Sequence, residues 1–148
     1  MAKTIWNAED RRAVLGRLEG LREDARAQWG KMTVSQMVRH CELGVLAAMG
    51  EYKVAPVATP FKFWPMSKLI IHWLPWPKGA PTADELLVKE DGDLRARVVA
   101  LRATVERFVS RGREQKLEDH AAFGRISADD WGALVWRHLD HHLRQFGA

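Results

Sequence analysis

Residues 136–146 read Trp136-Arg137-His138-Leu139-Asp140-His141-His142-Leu143-Arg144-Gln145-Phe146. His138 and His142 stand four apart, so on a helix they point the same way, one turn above the other. At roughly 100° per residue, Trp131, Leu134, Val135, His138, His142 and Gln145 fall on one stripe. The stripe predicts an amphipathic last helix whose histidines continue the apolar face and point inward. Buried imidazoles without partners are costly. Two on one helix face at this spacing are placed to grip a metal ion.

Outward from this helix, the chain reads as more helix. Ser127 is its expected N-cap, with Asp129 and Asp130 in the first turn where the macrodipole favours acids. Leu94, Val98, Leu101, Val105 and Phe108 repeat at helical spacing and predict a long helix from about Gly92 to Ser110, ended by Gly112. Thr33 with Gln36 is a capping box that opens a helix to about Met49, with Gly50 suited to its C-terminal end. Asn7 caps a first helix that carries Val14, Leu18 and Leu21 inward and gives out near Gly20.

All six prolines (56, 60, 65, 75, 77 and 81) lie in the middle of the chain, together with Phe61, Phe63, Trp64, Trp73 and Trp76. This region predicts at most a short third helix, from Pro65 to about Trp73, then loop from Pro75 to Pro81. No internal repeat and no convincing strand alternation are present. The expected fold is all-α: a four-helix bundle in one domain over residues 1–148, with an irregular aromatic and proline-rich insert between helices two and four.

Composition supports an ordinary globular domain: 148 residues, 47% hydrophobic and 28% charged. The net charge of +4 reads as mild and spread along the chain, without the basic stripe of a nucleic-acid binder. The Arg11-Arg12 and Arg111/Arg113 pairs read as solvated helix surface. One cysteine, Cys41, rules out an intrachain disulfide and reads as a small core residue. No stretch reads as a signal core or a membrane span, so the expected compartment is the cytoplasm.

A metal site needs a third ligand beyond His138 and His142. His40 is the best placed, on the second helix at the edge of its inward face. His141 lies about 60° round the last helix from His138 and reads as a supporting group or as packing. His72, between Ile71 and Trp73, reads equally as packing, and His120, in Glu118-Asp119-His120, as solvent-exposed. Gln145 lies on the histidine stripe and is suited to orienting a ligand or to bonding at the helix end. Asp140 points away and is expected to make a surface contact. The motif is not H-E-x-x-H, so it contains no built-in glutamate base.

The aromatic insert has core packing as its default reading. The alternatives are a lid over the metal pocket, a homodimer surface and, set below these, membrane-surface contact by Phe63-Trp64 with Lys62 and Lys68. The partners expected are a small-molecule substrate and, where the insert serves as a dimer surface, a second copy in a homodimer, with no nucleic acid and no membrane.

Taken together, Trp29-Gly30-Lys31-Met32, Gln36-Met37, His40-Cys41, His120-x-x-Phe123-Gly124 and the block from His138 to Gly147 resemble an uncharacterised branch of the DinB/YfiT-like superfamily. The resemblance spans most of the chain, and its most specific part is the terminal block. It implies a four-helix bundle holding a divalent metal through His40, His138 and His142, with zinc or nickel suited to an all-histidine set. It also implies a metal-dependent hydrolase or a thiol-dependent transferase, activating a bound water or thiol. The alternative is a non-catalytic binding or dimerisation module in which the histidines form a polar core network.

Overall fold

The computed structural model describes residues 2–80 and 82–148; the last proline of the insert, Pro81, lies outside them. Five α-helices follow in order: α1 (Ala8–Glu19), α2 (Val34–Ala48), α3 (Met66–His72), α4 (Leu94–Ser110) and α5 (Ala128–Gln145). Two short 3₁₀ turns, Pro60–Lys62 and Asp84–Leu86, interrupt the connections. No strand occurs among the described residues, so the all-α expectation holds.

The helix starts follow from local chemistry. The Asn7 side chain accepts from the backbone N–H groups of Glu9 and Asp10. Thr33 and Gln36 form the reciprocal capping box on α2, and Ser127 forms one on α5 with Asp130 as its other half. Each such cap satisfies donors that a helix start would otherwise leave open.

α2 packs against α4 on one side and α5 on the other, while α1 lies against α4 and α5. Val38, Leu101, Val105, Phe108 and Leu143 are essentially inaccessible at the centre. Each such side chain contributes about 1.5–3 kcal/mol on burial. Trp6 closes one end. It stacks on Phe108 at 5.0 Å, and its indole N–H donates to the Ala128 carbonyl at 2.8 Å.

The insert departs from its default reading. Phe63, Trp64 and Trp73 are 71%, 78% and 72% exposed, so they are not core packing. Only Ser67 and Ile71 of α3 are buried. The polar contacts that seat α3 on α5 explain this. The Arg137 guanidinium donates to the carbonyls of Ile70, Ile71 and Leu74, at the C-terminal end of α3 where a cation is favoured. Lys68 and His72 donate to the buried Asp130 carboxylate. These bonds turn one face of α3 inward and leave Met66, Leu69 and Trp73 on the other.

Candidate metal centre

Three histidines from two helices converge. His40 Nε2 lies 3.0 Å from His138 Nε2 and 3.1 Å from His142 Nε2. His40 is 3% exposed, covered by α5 and by the turn at Leu86. His142 is buried, and His138 is the most accessible of the three.

The other ring nitrogens determine what these Nε2 atoms offer. His40 Nδ1 lies 2.9 Å from the Leu86 carbonyl. A carbonyl only accepts, so the proton of the neutral ring sits on Nδ1 and Nε2 presents a bare lone pair. His142 Nδ1 lies 2.7 Å from Gln145 Oε1. The Gln145 amide is itself oriented, since its Nε2 donates to the Trp29 carbonyl at 2.8 Å. His142 therefore also carries its proton on Nδ1 and turns a lone pair inward.

Two lone pairs facing each other at 3.1 Å are arranged to share a cation. A proton is a poor candidate. Burial lowers the pKa of His40, and burial and the His40 charge push His142 down to about 3. His138 is held well below the ordinary histidine value by burial and by its two neighbours. A metal ion fits better. Nitrogens bound to one ion at about 2.0–2.1 Å lie roughly 2.9–3.4 Å apart, from right-angled to tetrahedral. The observed 3.0 and 3.1 Å fall in that range. These three histidines could hold a metal ion.

The surroundings divide the remaining sequence candidates. Gln145 is buried and orients His142, so it acts on a ligand residue from behind. Gly30 makes room for it, because a Cβ there would come within 2.8 Å of the Gln145 amide nitrogen. His141 is half-buried and lies outside the converging group. Its ring packs between Trp29 at 5.5 Å and Trp76 at 5.8 Å. Trp76 also packs on His138. Cys41 is fully buried against Met37, and burial pushes its thiol pKa up, as suits a core residue.

Three readings change. His120 is not solvent-exposed. Its Nδ1 accepts from the backbone N–H groups of Ala122 and Phe123, its ring lies against Phe123 and Trp131, and burial lowers its pKa to about 4. Asp140 makes more than a surface contact: its side chain is only 14% exposed and bridges Arg17 and Arg144. His72 is a bonding residue and not only packing, since it donates to Asp130 at 2.8 Å.

The group that sequence reasoning missed is the Leu86 carbonyl. A backbone oxygen carries no side-chain signal, and only the turn Asp84–Leu86 brings it to His40. Asp130 was visible only as a first-turn acid; its position three residues after Ser127 is the available sign of a capping box.

Helices and histidines together define a helical domain with a buried three-histidine cluster capable of holding a metal. The chain belongs to the family described as "Protein of unknown function (DUF1569)", whose model matches residues 5–148. No curated protein and no solved structure matches it. No helix among the described residues is long and apolar enough to cross a membrane.

Proposed function

We propose that this protein is a metal-dependent enzyme of the DinB-like kind, with His40, His138 and His142 as ligands of a divalent ion such as zinc or nickel. The four longer helices are read as the bundle that carries the site. The observation that carries the proposal is the facing pair of lone pairs on His40 and His142, each fixed by an acceptor behind its ring. In a polar core network a His138 proton would serve His40 at 3.0 Å, but the His142 lone pair would still face another lone pair.

Three neutral imidazoles leave a bound ion its full charge, which brings the pKa of a water or thiol on it toward neutrality. The chain's own residues position and shield. Leu86 and Gln145 hold two ligand rings at their tautomers, and the Trp76 ring covers His138. This reading favours hydrolysis, or transfer to a thiol, of a small molecule that enters beside His138, the most accessible ligand.

The test is elemental analysis of untagged protein, wild type beside His138→Ala, after incubation with zinc or nickel. Near-stoichiometric metal in the wild type, lost in a variant of unchanged helix content, is expected. Full occupancy in the variant, or none in the wild type, would overturn the ligand assignment. Once loaded, the protein should hydrolyse model esters or transfer alkyl groups to small thiols; inertness towards both would overturn the catalytic reading and leave a metal-binding module.

A further inference from the structure

The charge excess of the chain is not spread evenly. Residues 52–83 contain four lysines (53, 62, 68 and 78) and no aspartate or glutamate, although the whole chain carries only +4. The remainder is therefore balanced. Among the described residues, Lys53, Lys62 and Lys78 are exposed and enter no ion pair, whereas Lys68 is bonded to Asp130.

The same segment holds eight of the ten exposed large hydrophobic residues among those described. Met66 and Leu69 of α3 and its C-cap Trp73 stand at i, i+3 and i+7, which makes one outward stripe. Phe63 and Trp64 precede it and Leu74 follows it. Exposed aromatics of this size offer about 150–250 Å² each, so the three most exposed rings alone amount to roughly 400 Å². That already matches the largest apolar patch of an ordinary monomer. The face is built, not frayed: Arg137 secures the end of α3, and Asp130 holds its middle through Lys68 and His72.

Charge decides what covers such a face. A second copy would bring the unpaired lysines of one segment against those of another, and like charges oppose that pairing. An anionic lipid surface offers both an apolar layer and compensating charge. Tryptophan and phenylalanine insert at the headgroup boundary, and nearby lysines are drawn to anionic lipids across about a Debye length. We propose that the face made by Phe63, Trp64, Met66, Leu69, Trp73 and Leu74 docks on an anionic phospholipid surface, drawn there by the lysines of its segment. The protein lies on the bilayer and does not span it. None of these residues is a candidate ligand, so the proposal stands apart from the metal reading. Trp76 of the same segment packs on His138, which puts the docked face beside the candidate site.

The test is co-sedimentation of the full chain with phosphatidylcholine vesicles and with vesicles that also contain phosphatidylserine. Binding only to the anionic vesicles, falling as salt rises, is expected. Trp64→Ala with Trp73→Ala should weaken it at least tenfold with an unchanged far-ultraviolet spectrum. Glutamine at positions 53, 62 and 78 together should weaken it on the order of a hundredfold, at about fivefold per lysine. Absence of binding to either vesicle, equal binding to both, or unchanged binding by the double tryptophan variant would overturn the proposal. So would a dimer in solution that the double variant dissolves, since that would make the face an interface between copies.

Discussion

The Nε2 atoms of His40 and His142 face each other at 3.1 Å, and each ring has an acceptor behind its Nδ1. Leu86 takes the Nδ1 proton of one ring and Gln145 that of the other. Two side chains that would repel in isolation are thus held together by the fold, and bonds made behind the rings set their readiness for a cation.

Gln145 should therefore control affinity without being a ligand. Gln145→Ala removes the acceptor behind His142 and the donor to the Trp29 carbonyl. Metal affinity should fall roughly ten- to a hundredfold, with a stability cost of about 1–2 kcal/mol. Gln145→Glu keeps the acceptor and should recover most of the affinity. Zinc titration against a chromophoric chelator measures both, and an alanine variant with wild-type affinity would refute the orienting role.

His120 should make stability pH-dependent. Its pKa is near 4 in the folded chain against the ordinary 6.5. Below 6.5 the unfolded chain takes up a proton that the folded chain refuses until about 4, so stability falls as pH drops through that window and levels off beneath it. The full effect is on the order of 3 kcal/mol. In His120→Asn the amide oxygen can still accept from the same backbone groups, and nothing titrates. Urea unfolding at neutral and acidic pH should show the variant losing less stability than wild type by about that amount; identical losses would contradict the assignment.

Asp130 has the same sign at lower pH, from a different cause. Burial alone would raise its pKa, but bonds from His72, Lys68 and Ser127 outweigh burial and hold it at about 2. Its contribution is full above the ordinary carboxylate value of 3.8 and is lost as pH falls through about 2. Asp130→Ala should cost about 3 kcal/mol at neutral pH, because it removes the reciprocal half of the α5 capping box and releases α3 together. Loss of α3 docking should show as faster proteolysis between residues 60 and 80. Unchanged cleavage there would mean that Arg137 alone seats the segment.

Gly132 in mid-helix marks where Trp6 crosses α5. A Cβ would lie 2.2 Å from the Trp6 ring, and the Gly132 carbonyl accepts from Ile5. Gly132→Ala should destabilise by about 1–3 kcal/mol despite alanine's better helix propensity. Thermal unfolding beside Gly16→Ala, where nothing lies within 4 Å, separates the two effects. A Gly132 variant as stable as wild type would show that Trp6 can move aside.

The sequence by itself determined what depends on neighbours within a turn or two. Asn7, Thr33 and Ser127 announced three of the four side-chain-capped α-helix starts, because a cap acts over two or three residues; sequence reasoning missed the Asp93 cap of α4. The periodicity of α5 turned His138 and His142 inward together, because the helix repeat alone fixes which face a residue shares. Position 40 was legible as a candidate only at the edge of a face, since its burial depends on α5 and the Leu86 turn, which the local pattern does not contain. Only the tertiary structure brought Leu86 to His40, 46 residues away, and chose that ring's tautomer. It also left Phe63, Trp64 and Trp73 in solvent and drew His120 inward. An aromatic run has the same composition whether something covers it or not, and a histidine in a polar connector is buried only if the chain folds back over it. Those outcomes depend on long-range contacts such as Asp130 with α3 and Trp131 with His120, which no short window of sequence contains.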